Sequence, residues 1–196
     1  MEVFNLFKLI LIGVNLIAIV LISAFAIKSS FFKIREFEKD KLTGVLNKKK
    51  FLKHLNNKIK RSDKKPLSLV ALDIDDLNKY NKNHGYIKGN DALKEIKNMI
   101  KDNVKSTDII CRENGRFFIA SDEKHENAIK TAEILRKKLQ NYDFYGENIT
   151  ASIGLITSYG DYNPEILLNN ADELIRFAKR DGKNIIKAIE LKQFID

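Results

Sequence analysis

The sequence predicts an α+β domain of the ferredoxin-like or palm type, a central and mostly antiparallel sheet with flanking helices, preceded by one transmembrane helix. Three observations carry this. The predicted elements run strand, helices, hairpin, helix, strand, helix, strand, which is the split βαβ order. Asn114-Gly115 lies between two β-like stretches, a strong short hairpin signal. The 19 residues from Leu9 to Ile27 carry no charge, and about 20 apolar residues span a hydrocarbon core of about 30 Å.

The apolar stretch comes first. Asn15 is its one strongly polar side chain, and Lys28, Lys33 and Arg35 follow it. The positive-inside tendency then places the C-terminal bulk in the cytoplasm, as a single-pass protein of the cell membrane. A cleaved signal peptide is the competing reading, but the run is long for one. Residues 1–28 are read as the anchor and 29–42 as an amphipathic helical stalk through Phe31, Phe32, Ile34 and Phe37. Such a stalk pairs with a copy of itself or packs on its own domain. Residues 43–190 are read as the domain and 191–196 as a tail.

Within the domain, Phe51, Leu52, Leu55 and Ile59 recur at helical spacing, so a helix is expected from Lys48 to Lys60, with Asn47 as its cap. Leu67 to Ile74 is a near-continuous apolar run, the mark of a buried central strand. Asp75 or Asp76 then opens a short helix, Gly85 and Gly89 are expected to break the chain, and Asp91 to Val104 is an amphipathic helix. The hairpin pairs Asp108–Arg112 with Arg116–Ala120 through a type I′ turn. A helix from Glu126 to Leu139 and a strand from Ile149 to Thr157 follow. Pro164 opens a helix to about Lys179, Asp181-Gly182 ends it, and Asn184–Ile189 is the last strand.

Composition bounds the function. Hydrophobic residues make up 44% of the chain and charged residues 31%, a globular balance. The net charge is +9, with lysines scattered among acids on every predicted helix. No arginine-rich arm, zinc spacing or basic–aromatic run is present, so the charge points to solvated helix faces near an anionic membrane and not to nucleic acid. A single cysteine, Cys111, excludes an internal disulfide and reads as a buried strand residue. His54, His84 and His125 lack metal-ligand spacing.

Four motifs occur in order. Asp40-Lys-Leu-Thr-Gly-Val-Leu-Asn47 resembles the D-x-L-T-G-L-x-N opening of GGDEF domains. Leu72-Asp73-Ile74-Asp75, with Asn81 and Gly85, resembles their L-D-I-D-x-F-K-x-I-N-D-x-x-G segment. Ser152-Ile153-Gly154 resembles their S-I-G strand. Ala171-Asp172, Ala178-Lys179 and Gly182-Lys183-Asn184 resemble their closing A-D, A-K and G-R-N. The match covers residues 40 to about 189. It implies a palm-type GGDEF fold and a diguanylate cyclase ancestry. In that family two protomers each hold one GTP, and Mg²⁺ or Mn²⁺ rests on the first Asp of L-D-I-D, here Asp73, and on an acid of the G-G-D-E-F turn. Metal cations offset developing phosphate charge.

The turn departs from the family. R-Y-G-G-D-E-F is here Arg112-Glu113-Asn114-Gly115-Arg116-Phe117-Phe118, so the two acidic positions hold Arg116 and Phe117. A cation in place of a ligand reverses the local field, and Mg²⁺ binding is doubtful on that ground. Strand alternation is expected to point Glu113 away from the face used at 114 or 116. In the nucleotide pocket Asn81 matches the family's guanine-contacting Asn and Asn90 replaces an Asp. Tyr86 replaces a His and Asn78 a Lys. Lys179 matches a phosphate-contacting Lys, and Lys183 replaces an Arg. The inhibitory R-x-x-D site falls at Lys105-Ser-Thr-Asp108. By themselves Asp73 and Asp75 read as caps at a strand-to-helix junction, and Lys179 and Lys183 as cations favoured at a helix C-terminus.

The expectation is a membrane-anchored, degenerate and catalytically inactive GGDEF protein, sensing a guanine nucleotide through Asn81, Asn90, Arg116, Lys179 and Lys183, and dimeric or bound to another signalling protein. The alternatives are a non-binding scaffold and an active cyclase with an unusual turn. With few residues before the apolar stretch, any input is expected through the membrane helix, the stalk or the pocket.

Overall fold

The computed structural model describes residues 13–28, 38–61, 65–160 and 162–191. The chain divides into two compact units, Met1–Lys39 and Asp40–Asp196. In the first, residues 13–28 form helix α1. Its large apolar side chains from Val14 to Ile27 are 58 to 74% exposed. Among the described residues no helix is long and apolar enough to cross a membrane. Residues 9–12 of the expected span, 29–37 of the expected stalk and 192–196 of the expected tail lie outside the described residues.

The second unit opens on a turn, and residues 38–42 are not helical. The Asp40 carboxylate accepts from the Thr43 amide at 2.8 Å and from its hydroxyl at 2.5 Å, which favours a turn over continued helix. Leu46 then bridges the edge of the sheet. Its amide donates to the Ile110 carbonyl and its carbonyl accepts from Arg112, each at 3.1 Å. Helix α2 (Lys48–Arg61) follows, capped by Asn47 Oδ1 accepting from the Lys50 amide at 2.9 Å.

The remaining elements are β1 (Leu67–Ile74), α3 (Leu77–Asn103), β2 (Ile109–Glu113), β3 (Arg116–Ser121), α4 (His125–Asn141), β4 (Asp143–Phe144), β5 (Glu147–Asn148), β6 (Ala151–Ser158), α5 (Pro164–Arg180) and β7 (Ile186–Leu191). Five strands form one sheet in the order β2-β3-β1-β6-β7. All pairs are antiparallel except β6 with β7. The expected central, mostly antiparallel sheet is therefore present, with β1 in the middle.

Alternation on β1 splits the core. Val70, Leu72 and Ile74 join Phe117, Ile119, Ile153 and Leu155 against α3 and α4. Leu67, Leu69 and Ala71 join Cys111, Phe118, Ala120 and Ile156 against α2 and α5. Each fully buried Val, Leu, Ile or Phe among these stabilises the fold by about 1.5–3 kcal/mol relative to exposure. Gly154 sets the approach of α5. A Cβ there would lie 2.3 Å from the Ala171 carbonyl oxygen and 3.0 Å from the Leu174 Cβ.

Three local expectations change. Gly85 does break the chain, since its backbone (φ 83°, ψ 158°) leaves the helical region and kinks α3 (Leu77–Asn103) into two helical stretches, but Gly89 does not. Gly89 instead makes room for Asn81, whose Oδ1 would lie 1.8 Å from a Cβ at that position. The hairpin turn is not type I′. Asn114 takes φ 58°, whereas Gly115 stays outside the left-handed region, packs on Leu77 and gives its carbonyl to the Ile74 amide at 3.3 Å. The small β4–β5 hairpin was not expected; Tyr145 (φ 57°) and Gly146 (φ 83°) form its turn, with a tyrosine where sequence reading looks for Asn or Asp.

Candidate functional site

The site lies at the C-terminal end of β1. Strand register places Asp73 opposite Arg116 of β3 on one side and Ser152 of β6 on the other. Asp73 therefore faces α5, as Ala71 and Leu69 do. Arg116 Nη2 and Nε donate to Asp73 Oδ2 at 2.6 and 3.2 Å, and Nη1 donates to Asp172 Oδ1 at 2.6 Å. Lys179 Nζ lies 3.1 Å from the other oxygen, Asp73 Oδ1. Asp172 and Lys179 both project from α5, two turns apart. Lys179, Asp73, Arg116 and Asp172 thus form one chain of alternating charge. Side-chain exposure is 16% for Asp73, 28% for Arg116, 32% for Asp172 and 33% for Lys179, so the network is half-sheltered and reachable from solvent. Burial works against the Arg116 charge, but the bonds to Asp73 overcome it and raise the guanidinium above its ordinary value.

Asp75 has a different task. It is buried, and its carboxylate accepts from Thr150 Oγ1 at 2.8 Å, Ser152 Oγ at 2.7 Å and the Asn184 amide at 3.1 Å. It ties β1 to β6 and to the loop after α5. Asp76, the first residue before α3, takes φ 52° and makes no side-chain cap bond. Its two oxygens instead accept from Lys183 Nζ at 2.7 Å each, which holds the Asp76 carboxyl below and the Lys183 ammonium above the usual ranges. Lys183 and Asn184 also take positive φ, 62° and 51°. Four non-glycine residues in the left-handed region, Asp76, Asn114, Lys183 and Asn184, therefore gather at this end of the sheet. Such backbone clusters where the surrounding structure fixes a site.

Of the residues expected to form a nucleotide site, Arg116 and Lys179 meet on Asp73, and Lys183 stands beside them on Asp76. Asn81 and Asn90 lie on α3. Asn81 Oδ1 is buried and has no hydrogen-bond partner among the described residues. Asn90 and Tyr86 are exposed. Phe117 is fully buried in the α3–α4 core, on the opposite face of the sheet from Arg116. Glu113 does not point away. The two-residue turn makes it the register partner of Arg116, so both share a face, but Lys48 Nζ takes its carboxylate at 2.9 Å. In the sequence Asp172 stands out only as part of the Ala171-Asp172 motif, and its bond to Arg116 joins residues 56 positions apart along the chain. At the turn from Lys105 to Asp108, the Lys105 amide donates to Asp108 Oδ2 at 2.9 Å and Lys105 Nζ pairs with Glu123 at 3.1 Å. This turn borders a cleft of about 270 Å³. Cys111 is buried, and that burial pushes its thiol far up.

A palm-like α+β domain with a half-sheltered charge network at the end of its central strand defines the class. The family described as "Diguanylate cyclase, GGDEF domain" matches residues 38–185, and the chain belongs to it. It is 32% identical over 158 residues to the response regulator PleD of Caulobacter vibrioides, covering 75% of this chain and 35% of that protein. It is 26% identical over 156 residues to the membrane protein SERP0413 of Staphylococcus epidermidis, covering 74% of this chain and 44% of that one. The matched part of the chain thus spans less than half the length of these relatives. The coiled coil and GGDEF domain of DgcB from Caulobacter crescentus, in complex with c-di-GMP, shares the fold with a TM-score of 0.80 at 19% identity, covering 88% of this chain and 97% of that one.

GGDEF domains generally use Mg²⁺. The residues here do not fit it. Both oxygens of Asp73 are engaged by cations, and no three His, Cys, Asp or Glu side chains come together as a metal-holding group among the described residues. A dication would sit against a guanidinium, and even two unit charges about 4 Å apart repel by about 4 kcal/mol at an effective dielectric of 20.

Proposed function

We propose that this protein is a membrane-anchored GGDEF-domain regulator in cyclic di-GMP signalling that binds a guanine nucleotide and does not make cyclic di-GMP. One observation carries the reading. The Arg116 guanidinium is bonded to Asp73 and Asp172 where the family places a metal-ligating acid. Phosphoryl-type transfer in this family relies on metal charge near the reacting phosphate, and Arg116 cannot hold a metal. Support for nucleotide binding comes from Arg116 and Lys179 presented side by side, and from the buried, unpartnered Asn81 Oδ1, an acceptor for an N–H donor. Support for anchoring comes from the charge-free run Leu9–Ile27, from the exposed apolar side chains of α1, and from the cations after it. The domain then faces the cytoplasm, and the protein acts as a homodimer or beside another signalling protein.

The test uses the full-length protein in mild detergent. Incubation with GTP and Mg²⁺ is expected to yield no cyclic di-GMP, while calorimetric titration shows saturable GTP binding. Product that vanishes in Asp73→Ala would overturn the inactive reading. A second reading is favoured by the carboxylates already held by Arg116, Lys179 and Lys183. In it the domain binds no nucleotide and serves to recruit a protein partner. Absence of GTP binding at millimolar concentration selects that reading over the first.

A further inference from the structure

The charge network is complete without any added ion. Two carboxylates, Asp73 and Asp172, face two cations, Arg116 and Lys179. A site built for a divalent metal leaves its carboxylates in excess, so that the ion brings the balancing charge and then attracts phosphate. Here the balance is already struck by side chains, and both cations are more exposed than the Asp73 carboxylate they share.

Those cations are also not exhausted. Arg116 spends three of its five N–H groups on Asp73 and Asp172. Lys179 makes one contact, with Asp73, out of three ammonium protons. A phosphate oxygen can therefore be met by the guanidinium and the ammonium together while both aspartates keep them in place. The carboxylates fix the guanidinium fork before a ligand arrives, so little conformational freedom is lost on binding.

Resting on the nucleotide-binding reading above, we infer that this site takes a nucleoside triphosphate free of divalent metal, with the unused N–H groups of Arg116 and Lys179 donating to the phosphate oxygens that Mg²⁺ meets elsewhere in the family. The magnesium complex of the nucleotide is the poorer ligand, because its phosphate charge is already neutralised and its ion meets a guanidinium.

The experiment titrates GTP into the full-length protein in EDTA and again in excess Mg²⁺. Binding is expected in EDTA, with apparent affinity lower by roughly tenfold or more in Mg²⁺. Arg116→Gln is expected to weaken binding in EDTA by about 10- to 100-fold, the scale of a lost charge-assisted contact. Lys179→Gln is the second variant should Arg116→Gln fail to fold. Electron paramagnetic resonance of added Mn²⁺, without nucleotide, is expected to show no bound ion in the wild-type protein and a bound ion in Arg116→Asp. GTP binding that requires Mg²⁺ would overturn the inference and leave the nucleotide reading standing. Binding in neither buffer would overturn both, and Mn²⁺ held by the wild-type protein would overturn the inference alone.

Discussion

Arg116 and Asp73 are direct partners across β3 and β1, and two nitrogens of the one converge on a single oxygen of the other at 2.6 and 3.2 Å. Adjacent strands hold the pair, so neither side chain chooses it alone. Truncating Arg116 to Ala leaves two half-sheltered carboxylates, with only Lys179 to balance Asp73. The expected cost is about 1–3 kcal/mol in urea unfolding. The double variant with Asp73→Asn should recover part of it, and a strictly additive double-mutant cycle would show that the two residues do not interact.

Restoring acids to the turn separates the two altered positions. Arg116→Asp changes a partly exposed group and should leave a folded protein. Phe117→Glu puts a carboxylate where a side chain with 0% exposure packs among Tyr80, Leu72 and Ile119. That combines loss of an aromatic core residue with burial of a charge, and should destabilise by at least about 3–5 kcal/mol. Thermal melts of the two variants should therefore diverge sharply, and equal melting temperatures would contradict the burial of Phe117.

Asp40 and Arg112 give the domain an acid-sensitive clasp. Arg112 donates to both Asp40 oxygens at 2.8 Å each. Burial alone would raise the Asp40 carboxyl, but bonds from Arg112 and Thr43 outweigh it and hold the group below its ordinary value. Its stabilising contribution is therefore complete above the unfolded value of about 3.9 and is lost as pH falls through the lower folded value. Stability against pH measured below about pH 4 should fall less steeply in Asp40→Asn than in the wild-type protein. Arg112→Ala should cost about 3 kcal/mol at neutral pH, since it strands a largely sheltered carboxylate.

Gly154 is a packing glycine. Its missing Cβ would lie 2.3 Å from a backbone carbonyl of α5, which cannot rotate aside. Gly154→Ala should lower stability by about 1–3 kcal/mol by forcing α5 off the sheet. Unchanged denaturation midpoints would show that α5 has room to move.

The sequence by itself determined the alternation of elements, the central place of Leu67–Ile74, the helix cap at Asn47, the helix start at Pro164, and the membership of the family. Those are local matters: apolar period, turn chemistry and short motifs at fixed spacing. It also exposed the change at Arg116. Tertiary structure decided what that change means. Register brought Arg116 beside Asp73, and helix α5 laid Asp172 and Lys179 over both, contacts between residues 43 to 106 positions apart that no periodicity encodes. The same holds for the misread features. Gly89 looks like a helix breaker in the chain, yet it is a gap for Asn81. Glu113 looks averted by alternation, yet a two-residue turn returns it to the face of its register partner. Side-chain direction across a turn and the space left beside a glycine belong to the packed molecule, because they depend on which backbone comes to lie opposite.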